Sequence, residues 1–450
     1  MTPSARLQAV LEILVEIAEI ARPADALVSG YFRARRYIGS KDRAAVVGMV
    51  YGVMRHHARL GWWLARGVPN AEERQQDAMQ GARERLLAYL SFVERMEFKI
   101  IDELFSGGKY APASLGKGEK FLLQAWTGHT VLHPAMPEEV LCECPEWAAG
   151  RLRERFGDAF VGEMEAMLRP APLDLRINPL KAKREEILAE LARQEMKAEP
   201  CRYSPLGVRV AARPALNALP MLKDGKVEIQ DEGSQLVAML VEAAPGQRVV
   251  DFCAGAGGKT LAIAAQMQNK GHVVACDVLE KRLKRSGERF RRAGLHNIEI
   301  KPLANEHDPW VKKHKAGFDR VVVDAPCSGT GTWRRNPDSR WRQLGPGLEA
   351  LLPLQASILA SAARLAKPGG RVIYATCSLL PDENERQIEG FLAAHPDFRL
   401  VDYTEVWARV AGVGVSPPCQ DPYLALTPAR HGSDGFFAAV MERTVCAGTP

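Results

Sequence analysis

The chain has 450 residues, of which 46% are hydrophobic and 25% charged, and carries a net charge of +6. It is too long for one ordinary core and too rich in apolar residues for extended disorder, so two or three soluble folded units are expected. No apolar run approaches the roughly 18 to 20 residues that cross a bilayer. Nine irregularly spaced cysteines and no charged-then-apolar leader point to a reducing, cytoplasmic compartment.

From Ser4 to Trp126 the text reads as helices, because Leu7, Val10, Leu11, Leu14, Ile17 and Ala18 recur at spacings of three and four. Breaks at Arg22-Pro23, Gly39-Ser40, Val68-Pro69-Asn70 and Ser106-Gly107-Gly108 divide it into the short helices of a bundle. Arg33, Arg35, Arg36, Lys41 and Arg43 crowd one stretch of this region, which is assigned to residues 1–130. Lys281, Arg282, Lys284, Arg285, Arg289, Arg291 and Arg292 crowd another stretch further on. Each cluster reads either as a phosphate track or as a solvated helix face.

Residues 131–228 form a second unit. Pro134, Pro137 and Pro145 mark a linker, helical text resumes from Trp147 to Leu168, and a small α/β module follows. In that module Leu173 to Asn178 and Gly207 to Ala212 alternate as strands around a helix from Lys183 to Arg193. Cys142 and Cys144 form only a C-x-C without a second pair, so no metal site is expected there.

Residues 229–446 alternate strand and helix, with β-rich runs at Arg248 to Asp251, His272 to Asp277, Ile298 to Lys301, Arg320 to Asp324 and Arg371 to Ala375. All-apolar runs such as Val321-Val322-Val323 suit strands buried on both faces, which predicts a doubly wound, Rossmann-like α/β domain. The first of these strands runs into Cys253-Ala254-Gly255-Ala256-Gly257-Gly258-Lys259-Thr260 and then a helix. Glycines permit a tight turn and close ligand approach, and the free amides at a helix start attract carboxylate or phosphate.

A phosphate loop of the G-x-x-x-x-G-K-[ST] type fits the end of this segment but needs glycine where Cys253 stands, so a nucleotide triphosphatase is set aside. Asp277, at the end of the next strand, is placed either to accept hydrogen bonds from ribose hydroxyls or to cap a helix. A nicotinamide cofactor would want G-x-G-x-x-G spacing, which the loop lacks.

Asp324-Ala325-Pro326-Cys327 and Thr376-Cys377-Ser378 each place a thiol just beyond a core strand. Ligands of doubly wound sheets sit at those strand ends, so the two cysteines can share one crevice with the glycine loop. Cys201, Cys276, Cys419 and Cys446 read instead as small hydrophobes. Such a thiol pair suits methyl transfer to carbon 5 of a pyrimidine, an atom too electron-poor to attack a sulfonium methyl unaided. Thiolate addition at carbon 6 makes carbon 5 nucleophilic, and Asp324 is the candidate acid beside ring nitrogen 3. The spacing does not say which thiol attacks. A non-enzymatic assembly factor that kept the fold, and a protein or small-molecule methyltransferase, are the competing readings.

Together with the glycine loop and Asp277, three blocks carry a resemblance: Asp324 to Trp341 (DAPCSGTGTWRRNPDSRW), Lys367 to Glu385 (KPGGRVIYATCSLLPDENE) and Arg430 to Phe437 (RHGSDGFF). The chain resembles the Sun family of RNA cytosine-5 methyltransferases, and within it the branch acting on small-subunit ribosomal RNA. The resemblance implies Cys377 as nucleophile and Cys327 as the residue assisting product release, with Asp324 and Lys259 completing the catalytic set. It implies S-adenosylmethionine held by Cys253, Ala254, Gly255, Ala256, Gly257, Gly258, Lys259, Asp277 and Asp324.

The N-terminal region looks like the family's NusB-like RNA-binding domain. Ribosomal RNA as partner, no membrane, no metal and a monomeric state are the corresponding expectations. The family's loop carries proline where this chain has Ala256, and its adenine-side acid falls where this chain reads Pro302-Leu303-Ala304-Asn305.

Overall fold

The computed structural model describes residues 1–67, 77–211, 219–412 and 414–445. The expected break at Val68-Pro69-Asn70, Ala212 at the end of an expected strand, and Cys446 lie outside the described residues. Two units emerge, one of Met1–Arg169 with Trp333–Gly345, the other of Pro170–Thr332 with Pro346–Pro450. Among the described residues no helix is long and apolar enough to cross a membrane.

The first unit is helical. Its opening helix, Pro3–Glu19, starts where the Thr2 hydroxyl accepts from Ala5 N and Pro3 needs no amide partner. Its apolar stripe of Leu7, Val10, Ile13, Leu14 and Ile17 packs with Val50, Leu86 and Leu90 from helices Ser40–Arg55 and Ala78–Phe92. Residues Trp333–Gly345 belong to this unit although in sequence they interrupt the α/β half. Asp338 Oδ2 accepts from Ala24 N at 2.9 Å, Arg342 donates to the carbonyls of Ile20 and Arg22, and Trp341 stacks on His57 at 4.9 Å.

The second unit holds two sheets. The smaller is antiparallel, built from β1 (Leu173–Ile177), β2 (Ala198–Pro200), β3 (Gly207–Val210) and β4 (Val227–Ile229) in the order β2-β3-β1-β4. The helix Arg184–Arg193 packs Ile187 and Leu191 against Leu175, Ile177 and Val208. Asp174 and Glu232 are both ion-paired to Arg209, beside Cys201, whose thiol burial pushes up. Arg209 bridges both carboxylates, an ion-paired arrangement that ties this module to the helix Glu232–Met239.

The larger sheet contains β5 (Arg248–Asp251), β6 (His272–Asp277), β7 (Ile298–Pro302), β8 (Phe318–Asp324), β9 (Ala366–Thr376), β10 (Phe398–Val401), β11 (Leu424–Leu426) and β12 (Phe436–Arg443). Its order is β10-β12-β9-β8-β5-β6-β7, with β11 alongside β12. The five strands from β5 to β9 are parallel, and Val249, Val250, Val321, Val322 and Val323 are fully buried in them. From β5 the chain moves out through β6 to β7, then returns to β8 on the other flank of β5. This reversal opens a crevice at the carboxyl ends of β5 and β8, where a doubly wound sheet binds its ligand. β12 runs antiparallel to β9 and brings Phe437 level with Thr376.

Candidate active site

The glycine loop leaves β5 and enters the helix Gly258–Gln266. Gly255 and Gly257 have φ of +55° and +77°, the left-handed region that a side chain disfavours. At Gly257 a Cβ would also sit 2.6 Å from the Phe290 ring, so only glycine fits. The first intrahelical bond runs from Leu261 N to Gly257 O, and the amides of Gly258, Lys259 and Thr260 precede it at the positive end of the helix. Ala256, in the place of the family's proline, is exposed, and its carbonyl accepts from Arg289.

Asp277 binds the loop and the turn that leads into the helix Glu280–Ala293. Its Oδ2 accepts from Gly255 N and its Oδ1 from Leu279 N, each at 2.7 Å, leaving a lone pair on each oxygen for a diol. The helix that follows begins after Leu279 without a side-chain cap, so Asp277 does not cap it. At the floor, Asp251 is buried and accepts from the Thr260 hydroxyl through Oδ2, while its Oδ1 is buried with no hydrogen-bond partner. Burial, reinforced by the nearby Asp324 and Asp277 carboxylates, pushes the Asp251 carboxyl up to about 6. A buried acceptor without a partner beside free helix amides fits a zwitterionic amino acid, and Asp277 fits the hydroxyls of a ribose. This donor and acceptor set matches S-adenosylmethionine. Asn305 is spent locally, since its Oδ1 accepts from His307 N.

On the far side of the crevice Lys259 Nζ donates to Asp324 Oδ2 at 2.6 Å and lies over the Phe436 ring at 5.5 Å. Burial draws the Lys259 pKa down, but Asp324 and then Asp251 outweigh it, so the ammonium is held above its ordinary value. The two thiols expected at separate strand ends meet here, with Cys327 Sγ 3.4 Å from Cys377 Sγ. The hydrogen bond to Cys377, then burial, pushes the Cys327 thiol well above its ordinary range. Cys253, in the loop, is likewise pushed up by burial and by the surrounding carboxylates.

Sequence reasoning missed the residues that hold these loops, namely Asp251, Gln355, Glu383 and Asn384. All four are buried polar side chains, three at or beyond strand ends and Gln355 inside the helix Leu348–Ala363. The two basic clusters each divide into paired and solvent-facing side chains. Arg289 and Arg292 are turned onto Glu228 of β4 and Lys284 pairs with Glu280 along its own helix, whereas Lys281, Arg282, Arg285 and Arg291 face solvent. Arg35 pairs with Glu12 and Arg43 donates to Ile38 O, while Arg33, Arg36 and Lys41 are exposed. Cys142 and Cys144 are buried thiols that burial pushes up to about 11 and about 12.

A family model described as 16S rRNA methyltransferase RsmB/F matches residues 238–442, and the RsmF/B-like ferredoxin-like domain matches residues 144–216. A ribosomal RNA small subunit methyltransferase B of Pectobacterium atrosepticum is 30% identical over 424 residues, 91% of this chain and 92% of the relative. The chain belongs to the RsmB/F family. A "Probable ribosomal RNA small subunit methyltransferase B" of Synechocystis sp. is 36% identical over 301 residues, spanning 66% of each chain. Among solved structures, PH0851 is 25% identical and covers 98% of this chain and 99% of its own, with a TM-score of 0.79. A methyltransferase homologue from Pyrococcus horikoshii, also 25% identical, covers 69% of this RsmB/F-family chain and all of its own, with a TM-score of 0.57.

Proposed function

We propose that this RsmB/F-family chain methylates carbon 5 of a cytosine in small-subunit ribosomal RNA, with Cys377 as covalent nucleophile. The observation that carries the reading is the pair of thiols 3.4 Å apart, beside the half-buried Lys259–Asp324 ion pair and the glycine loop. S-adenosylmethionine, when bound along the loop and Asp277, supplies the methyl group as an electrophile.

Cys377 Sγ, as thiolate, adds to carbon 6, and the ring's double-bond electrons move towards carbon 5. The Lys259–Asp324 pair brings a proton to ring nitrogen 3 and takes it back on release, so the ring never carries the full negative charge. Once carbon 5 is methylated, its proton leaves to solvent, the ring double bond re-forms, and the carbon 6–sulfur bond breaks with its electrons returning to Cys377. Cys327, whose thiol keeps its proton, donates a hydrogen bond to the departing sulfur. Residues 1–130, with Arg33, Arg36 and Lys41 facing solvent, are assigned to RNA binding in this reading.

The test is incubation of wild type, Cys377→Ala and Cys327→Ala with tritiated S-adenosylmethionine and deproteinised 16S rRNA. Loss of methylation in Cys377→Ala, and a denaturation-resistant protein–RNA adduct in Cys327→Ala, are expected. The opposite pattern would exchange the two roles. Cofactor binding by the wild type without any methyl incorporation would favour a non-enzymatic assembly factor.

A further inference from the structure

Pro381–Glu383 forms a single helical turn after β9, and Asn384 follows it. Glu383 and Asn384 are adjacent in sequence and both have no exposed surface. Their side chains go to different cysteines. Glu383 accepts from Ser328 N at 2.8 Å and from the Ser328 hydroxyl at 2.5 Å. It also accepts from Gln355 Nε2 at 2.9 Å, and that same nitrogen donates to Pro326 O at 2.9 Å. Cys327 is thus tethered on both sides, through the carbonyl before it and the amide after it.

Asn384 does the equivalent for Cys377. Its Oδ1 accepts from the Thr376 hydroxyl at 2.5 Å and its Nδ2 donates to Ser378 O at 3.0 Å, again one residue either side of the thiol. Both Glu383 oxygens are satisfied by these donors, as a buried carboxylate requires. The Tyr374 hydroxyl fixes the turn itself by donating to Glu383 O at 2.8 Å.

We propose that Glu383 and Asn384 are positioning residues with separate tasks, Glu383 setting Cys327 for product release and Asn384 setting Cys377 for attack. This rests on the cysteine roles proposed above. Because each tether acts through one thiol, loss of each stalls a different step, which a general loss of stability does not do.

The experiment compares Glu383→Ala, Glu383→Gln, Gln355→Met and Asn384→Ala with Cys327→Ala, using 16S rRNA and S-adenosylmethionine. Turnover and the fraction of protein trapped as RNA adduct on denaturing gels are both read, with binding of a cofactor analogue as the folding control. Glu383→Ala is expected to lose about tenfold in turnover and to accumulate adduct, as Cys327→Ala does. Glu383→Gln should restore turnover to within about threefold, since its amide can accept from Ser328 N and donate to the Ser328 hydroxyl. Asn384→Ala should slow turnover without accumulating adduct.

Gln355→Met, which removes the Pro326 tether while keeping the volume, should trap adduct even if Glu383→Ala fails to bind the analogue. Equal adduct levels in the Glu383 or Gln355 variants and in Asn384→Ala, with Cys327→Ala still trapping, would overturn the division of labour and leave the cysteine roles standing. Absence of adduct in Cys327→Ala itself would instead remove the cysteine roles, and this proposal with them.

Discussion

Cys327 Sγ and Cys377 Sγ lie 3.4 Å apart, although fifty residues separate them in sequence. The two are not equivalent. The hydrogen bond to Cys377 and burial push the Cys327 thiol well above its ordinary range, so Cys327 keeps its proton at neutral pH and is the less reactive sulfur. Brief exposure to iodoacetamide near neutral pH should therefore alkylate Cys377 about tenfold faster than Cys327, as mapped by peptide mass spectrometry. Faster labelling of Cys327 would contradict its raised thiol and overturn the assignment of nucleophile.

Asp251 gives a pH dependence whose sign is fixed by the direction of its shift. Its folded-state value of about 6 lies above the ordinary 3.8, so the fold binds a proton that the unfolded chain has released. Stability is consequently lost as pH rises from about 4 to about 6, and the deficit persists at neutral pH. Asp251→Asn should raise unfolding stability at neutral pH by on the order of 1–3 kcal/mol, a gain that vanishes below about pH 4. The same change should weaken binding of a cofactor analogue, because the free Oδ1 acceptor is altered. Urea unfolding at two pH values and titration calorimetry check both halves. A variant less stable than wild type at neutral pH would contradict the burial cost.

The parallel strands were legible because strands buried on both faces spell out their position in valines, as in Arg248 to Asp251 and His272 to Asp277, which match β5 and β6 residue for residue. β12 was not, since Phe436–Arg443 is a continuous buried run whose periodicity fits helix or strand equally well. The glycine loop and both thiols were visible as local motifs. The supports Glu383 and Gln355 were not, because they pair with no local period, 55 residues between Ser328 and Glu383 and 28 between Gln355 and Glu383. The same reason hid the place of Trp333–Gly345, whose partner Ala24 is 314 residues from Asp338.

Gly257 is the position where the loop tolerates least. It combines a φ of +77° with the Phe290 ring 2.6 Å from where a Cβ would lie. Gly257→Ala must either leave the left-handed region or displace Phe290 from the core it shares with Leu261 and Ala293. The expected cost is about 1–3 kcal/mol of stability, with loss of cofactor-analogue binding greater than the loss of fold. Gly246 has a φ of +90° but open space around its Cβ position, so Gly246→Ala is the control for backbone strain alone. Equal loss of analogue binding in both variants would show that the Phe290 contact is irrelevant.

The N-terminal basic cluster separates into side chains that build the helical unit and side chains that face solvent. Arg35 lies over Tyr31 and pairs with Glu12, and Arg43 lies over Phe32 and donates to Ile38 O, so their removal should lower stability with little specific effect on RNA. Arg33, Arg36 and Lys41 are exposed around Tyr37, which is 79% exposed and offers a ring face on which a base can stack. Alanine at Arg33, Arg36 and Lys41 together should reduce 16S rRNA affinity and flatten the plot of log affinity against log salt by roughly 2, at about 0.7 to 0.9 for each phosphate no longer neutralised. Tyr37→Ala should weaken binding without changing that slope, because stacking releases no counterions. Filter binding at several salt concentrations separates the two effects, and an unchanged slope in the triple variant would remove this surface from the RNA path.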